Sequence, residues 1–185
     1  AGYACDHFLD WAMRQTISIP NEVPVVIVNR TSFYVFGPNE RSDNGGSKNM
    51  PLIYFKHPYD YATEAFLSEF AKQLTETACK LAKNRNVYMV RPIPEMLLNV
   101  PKTMTGATLL SVGKSVSISL ADYHRRHEFV WSAQDAARDR CGVKILDPLP
   151  YLCWQGRCHG SKDGRPLYSD DDHLNEFGNK LLVPM

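Results

Sequence analysis

The sequence predicts an α/β domain, a three-layer sandwich around a central parallel sheet, and three observations predict it. Residues 23–28, 87–90 and 143–146 are short apolar runs rich in β-branched residues and bounded by turn residues, so they read as buried strands. The segments between them carry apolar residues at three- and four-residue spacing, which is the stripe of a helix that packs on one side. Strand, helix, strand in succession is the pattern of a parallel sheet covered on both faces. A chain of 185 residues falls within the range of one domain and can bury a substantial core, so residues 1–185 are read as a single unit.

Taken in order, residues 5–15 read as a helix ahead of the first strand. Residues 37–50 form a polar excursion after it, with Pro38, Asn39, Asp43, Asn44, Gly45, Gly46 and Asn49. In open α/β sheets ligands bind in loops at the carboxyl ends of strands, so this excursion is either a substrate loop or a plain surface insertion. Residues 61–82 place Ala62, Phe66, Phe70, Leu74, Ala78 and Leu81 on one helical face. An irregular stretch, residues 92–105, follows the second strand on the same edge. Residues 120–140 repeat the helical pattern with Tyr123, Val130, Ala133 and Ala137, and residues 174–182 read as a last helix. There is no internal repeat.

Composition removes several function classes. A formal net charge of +1 supplies no basic field for nucleic acid. The apolar runs are far shorter than the roughly 20 residues of a membrane helix, and the first residues lack the basic and apolar regions of a signal peptide. Of the five cysteines, only Cys153 and Cys158 suggest a pair from spacing. They flank Trp154-Gln155-Gly156-Arg157, a glycine-bearing turn that can bring their Cα atoms to the roughly 4.4–6.8 Å of a disulfide, and such a bridge belongs in an oxidising compartment. A zinc site that adds His159 lacks a fourth ligand, and His124 and His127 beside Glu128 lack a third. No metal or cofactor is expected.

The sharpest chemical feature is Tyr168-Ser169-Asp170-Asp171-Asp172-His173-Leu174-Asn175. An Asp three residues before a His at a helix entry can turn its carboxylate onto the imidazole. It then fixes the tautomer and stabilises the imidazolium formed when the His takes a proton from a hydroxyl. Spacing alone leaves alternatives: Asp171 or Asp172 as an N-cap, or three acids forming a solvated face or a weak cation site.

Context narrows these alternatives. The run Ile145-Leu146-Asp147-Pro148, then Leu152-Cys153 to Cys158, then Asp163-Gly164-Arg165-Pro166-Leu167-Tyr168, then Asp170-Asp171-Asp172-His173-Leu174 resembles the end of one particular domain. It is the SGNH domain fused behind the transmembrane acyltransferase-three domain in bacterial polysaccharide and lipopolysaccharide O-acetyltransferases. The helix around Cys5 leading into Val25-Val26-Ile27-Val28-Asn29-Arg30-Thr31-Ser32-Phe33-Tyr34 is similar to the strand after which that family places polar active-site residues. The resemblance covers most of the chain, strongest at its two ends and weak over residues 86–125.

The resemblance implies an SGNH hydrolase architecture, flavodoxin-like and incomplete at the N-terminus. It also implies acetyl transfer to a cell-envelope sugar through a serine acyl-enzyme, with His173 as base and Asp170 as its orienting acid. Asp171 and Asp172 are expected to matter less. The acyl donor would come from the fused membrane domain, the acceptor would be a carbohydrate, and the chain would be a soluble periplasmic domain of an inner-membrane protein. A carbohydrate esterase, or a carbohydrate-binding module that has lost its chemistry, are the alternatives. Two departures stand out. The family's Gly-Asp-Ser, which carries the nucleophile, occurs nowhere in these residues. Where the family usually has Gly-x-Asn-Asp, the chain has Val28-Asn29-Arg30-Thr31. Asn29 is therefore a candidate oxyanion donor, and Arg30 is either a holder of an anionic or sugar substrate or half of a surface ion pair. Ser32 lacks a tight glycine-flanked turn, and Ser111, Ser115, Ser117 and Ser119 fall in what reads as a polar linker.

Overall fold

The computed structural model describes residues 5–39, 50–55, 57–109 and 116–185; positions 40–49 of the polar excursion and residues 110–115, with Ser111 and Ser115, lie outside them. In chain order the elements are α1 (Cys5–Ser18), β1 (Val25–Ile27), α2 (Thr31–Phe36), α3 (Glu64–Ala82), β2 (Val87–Val90), α4 (Val100–Leu109), β3 (Ser117–Ser119), α5 (Leu120–Cys141), β4 (Lys144–Leu146), α6 (Leu149–Leu152), β5 (Cys153–Trp154), β6 (Arg157–His159), β7 (Ser161–Lys162), β8 (Arg165–Pro166) and α7 (Glu176–Leu181).

The three expected strands pair in parallel in the order β1-β2-β4. Their register aligns Val25 with Val87 and sets Ile27, Met89 and Ile145 in one row. That face is closed by α3 and α5, through Ala78, Leu74 and Leu81 on one helix and Ala137 on the other. Capping explains why both helices begin where they do. The Thr63 hydroxyl accepts the Phe66 amide at 3.3 Å, and the Ser119 hydroxyl accepts the Asp122 amide at 3.0 Å. Gly142 ends α5 with φ 72°, returning its amide to the Arg138 carbonyl.

Among the described residues the second sheet face is covered only in part: Val90 is buried there. Val26 is 53% exposed, Val28 is 71% exposed, and Tyr88 and Lys144, which share Val26's row, are half-buried and exposed. The first apolar run therefore makes a strand buried on one side only. A second structured layer lies instead beyond the sheet. There β3, β6 and β5 form an antiparallel sheet that, with α4, α6 and α7, encloses Met96, Val100, Ile118, Leu152, Leu167 and Tyr168.

The sequence reading had no elements in most of this layer. Its strands are two or three residues long, too short to carry a period, and the irregular stretch 92–105 turns helical at Val100. Its hairpins turn on Gln155-Gly156 (φ 51° and 73°) and Asp163-Gly164 (φ 52° and 72°), the left-handed pairs that two-residue turns require. Cys153 and Cys158 face each other across the first hairpin and are bridged, with Cα atoms 3.9 Å apart, closer than the expected range. A second bridge, Cys79–Cys141, ties α3 to α5 across 62 residues.

Two packing details fix the remaining helices. The Ser32 hydroxyl and Nδ1 of His127 share a hydrogen bond of 2.6 Å in the interior, which locks α2 to α5. Burial, helped by the nearby Arg126 and His124 charges, pushes His127 down to about 3, so it is neutral in the fold. At the other end, Asn175 caps α7 by accepting the Gly178 amide at 2.9 Å. Gly178 lies so close to the Leu167 carbonyl that a Cβ would stand 2.2 Å from it.

Three outcomes are expected. Gly178→Ala forces backbone apart at a buried contact, so it should cost about 1–3 kcal/mol and lower Tm by roughly 2–4 °C for each; an unchanged melt would mean that α7 is not packed as described. His127 binds a proton in the unfolded chain below about 6.5 but not in the fold until about 3. Its contribution to stability is thus complete above 6.5 and is lost as pH falls through that window, by up to about 1.4 kcal/mol per unit. Melts between pH 7 and pH 4.5 should fall less steeply for His127→Gln than for the wild type. Finally, Cys79, Cys141, Cys153 and Cys158 should resist alkylation until a reductant is added.

Candidate active site

Parallel strands end together, and the three carboxyl ends here release Asn29 and Arg30 after β1, Arg91 to Met96 after β2, and Asp147 after β4. The stretch after β2 is buried without regular structure, so its polar groups need specific partners. The Tyr123 hydroxyl donates to the Pro92 carbonyl at 2.7 Å and the Tyr168 hydroxyl to the Pro94 carbonyl at 2.8 Å. Burial raises both phenols, which keeps them protonated as donors. The amides of Met96 and Val100 donate to the carbonyls of Asp171 and Asp170, at 2.8 and 3.0 Å. Those two bonds seat the 169–173 turn on the carboxyl edge of the sheet.

Within the turn, one carboxylate organises the rest. Asp170 Oδ1 accepts the amides of Asp172 (2.9 Å) and His173 (2.7 Å), while Oδ2 faces His173 Nδ1 at 2.7 Å. Partial burial works to raise Asp170, but the two amides and the imidazole outweigh it and hold the carboxyl below the usual range. The Ser169 amide closes the turn on the His173 carbonyl at 2.7 Å. The His173 side chain remains 52% exposed.

The three acids, adjacent in sequence, have different environments. Asp170 is partly exposed, whereas Asp172 is only 5% exposed, with Oδ1 3.1 Å from His173 Nδ1 and Oδ2 in an ion pair with Arg30. Arg30 Nη1 in turn lies 3.1 Å from His173 Nε2. The structure thus brings Arg30, Asp170, Asp172 and His173 together. Asn29 stands at the same edge, exposed, its side-chain oxygen accepting the Thr31 hydroxyl. Behind Asp172 lies a second buried pair, Glu95 and Arg126 at 2.8 Å, and Arg126 also donates to the Gly37 carbonyl. Burial raises Glu95, with Arg126 opposing. Sequence reasoning missed Asp172, Glu95 and Arg126; two acids within one acidic run carry no mark of which is buried.

Other candidates are displaced from the site. Ser32 is sealed inside on His127, and His124 is exposed on the same helix, so those histidines share no ligand. His159 stacks on Trp154 with ring centroids 3.8 Å apart. Asp170, Asp172 and His173 offer oxygen and nitrogen atoms within 4.8 Å of one another, the spacing of a cation site. The Arg30 guanidinium already supplies the positive charge there.

No curated protein matches the sequence. The periplasmic domain of a lipopolysaccharide acetyltransferase from Salmonella ser. Paratyphi A has a similar structure, with 13% identity over 92% of this chain and 86% of that one and a TM-score of 0.48. The family model described as the SGNH domain (fused to AT3 domains) matches residues 2–185. That match runs from ahead of α1 to the end of α7 and takes in every residue of the turn and of the strand ends facing it, so the chain belongs to this SGNH family.

Proposed function

We propose that the chain supplies the acid and base of a serine acyltransferase, which moves an acetyl group to a hydroxyl of a cell-envelope polysaccharide or lipopolysaccharide sugar. It does so as a periplasmic domain of an inner-membrane protein, with the fused transmembrane part delivering the donor. The observation that carries this reading is the His173 ring. Asp170 holds Nδ1 at 2.7 Å while the ring stays half-exposed at the carboxyl edge of the sheet. Held so, Nδ1 keeps its proton and Nε2 is the lone pair that can take one from a hydroxyl.

In the first half-reaction His173 takes the serine proton as the serine oxygen attacks the acetyl carbon, then returns it to the leaving group. In the second it activates the sugar hydroxyl in the same manner. An esterase differs only in admitting water as acceptor. The serine comes from a Gly-Asp-Ser segment outside these residues. Support for this lies in β1, which pairs on one edge only among the described residues. A further strand added there would end beside Asn29 and Arg30.

Asp170→Asn should lower acetyl transfer by the intact protein by up to about four orders of magnitude, because the imidazole then takes the wrong tautomer, and His173→Ala should abolish it. The assay is acetylation of the envelope polysaccharide, with folding checked by thermal melt. This chain by itself should not hydrolyse an activated acetyl ester above background. Turnover by the chain that disappears in His173→Ala would place the serine within these residues instead.

A further inference from the structure

We propose that Arg30 is a catalytic residue of this reaction, the group that meets the negative charge of the tetrahedral intermediate, and that Asp172 is its positioning residue. The inference rests on the acyl-transfer reading above. Its first support is position. Arg30 Nη1 is 3.1 Å from His173 Nε2, the atom that takes the proton. A hydroxyl giving its proton to Nε2 must stand within about 3 Å of it, so the acyl carbon it attacks, and the oxygen on that carbon, come next to the guanidinium.

The second support is fixity. Arg30 is bound to the buried Asp172 carboxylate, and its guanidinium carbon lies 3.8 Å from the centre of the Phe33 ring. A cation already held in this way needs little reorganisation as charge develops, which is what makes such groups effective. The third is a cost that structural pairing leaves unexplained. Arg30 Nε is buried and has no hydrogen-bond partner among the described residues. Asn29, the donor expected from the family pattern, is exposed, and its side-chain oxygen accepts the Thr31 hydroxyl, a bond that occupies its acceptor and not its amide N–H groups.

The hydroxyl proton passes to Nε2 while its oxygen bonds to the carbonyl carbon, and the C=O pair moves onto the carbonyl oxygen facing Arg30. Collapse re-forms the C=O, breaks the bond to the leaving heteroatom and returns the proton from Nε2 to it. The Nη1–H that now donates to Nε2 exchanges that acceptor for the oxyanion, with Asp172 as the pivot.

The test is acetyl transfer by the intact protein carrying Arg30→Gln, Arg30→Lys, Asn29→Ala, or the neutral pair Arg30→Gln/Asp172→Asn, with His173→Ala alongside. Arg30→Gln should lower kcat by about 100- to 1000-fold with little change in KM, the usual loss for one oxyanion donor. Arg30→Lys should recover part of this, and Asn29→Ala should stay within about fivefold of wild type, far short of that loss. Arg30→Gln leaves the buried Asp172 without its guanidinium partner, so the neutral pair guards against misfolding. It keeps a hydrogen bond between the two positions, and here it should fold and still lack the kcat that Arg30→Gln lacks. Recovery of kcat in the neutral pair would reduce Arg30 to a strut and overturn the proposal, as would a loss confined to KM. If His173→Ala transfers acetyl normally, the acyl-transfer reading itself fails and this inference with it; if His173→Ala is dead and Arg30→Gln is not, only the role of Arg30 falls.

Discussion

The site depends on one constraint, that the buried irregular backbone after β2 must have every polar group satisfied. Each buried amide or carbonyl left unpaired costs about 1–3 kcal/mol, and beyond the Arg91 amide, which still donates to the Leu146 carbonyl at 2.9 Å, the stretch to Met96 has no ladder or helix to meet that demand. Proline at positions 92 and 94 removes two donors outright, and the two buried tyrosines take up the corresponding carbonyls. Asn39 covers the Glu95 carbonyl at 3.0 Å, and Arg91 is held by the Trp131 carbonyl, Gln134 and Asp135. What remains are amides that point outward, and the carbonyls of the acidic turn fill them. The turn is thus seated from outside by two backbone bonds and held inside by the Asp170 carboxylate, which accepts the Asp172 and His173 amides.

Electrostatics then divides the work among the acids. Asp170 keeps solvent contact and spends its oxygens on its own turn and on His173. Asp172 points inward, where a lone carboxylate would be strongly disfavoured, and Arg30 answers it. Glu95 and Arg126 repeat the arrangement one layer deeper, and through the Gly37 carbonyl they reach the start of the polar excursion.

The sequence discloses those parts of this arrangement that are local. The three parallel strands lie in apolar runs bounded by turn residues, and the helices α1, α3, α5 and α7 follow a helical pattern, so pattern reading finds them to within a few residues. The Asp170–His173 contact spans one turn and was legible for the same reason, as was the Cys153–Cys158 bridge. What escaped was long-range or too short to repeat. Cys79 and Cys141 lie 62 residues apart, Arg30 and Asp172 lie 142 apart, and the strands β5 to β8 have two or three residues each. That Val26 and Val28 face solvent also could not be read, because an apolar run looks the same with one face covered as with two.

The separation of 142 residues between Arg30 and Asp172 has a kinetic side. The acid and base of the turn can meet in any conformation that forms the turn, on the timescale of closing a short loop. Arg30 arrives only after the chain has closed a loop of most of its length, a slow event that waits on the parallel sheet. Until that loop closes the imidazole has no cation beside it, so the constellation is complete only when the sheet and the acidic turn are both in place.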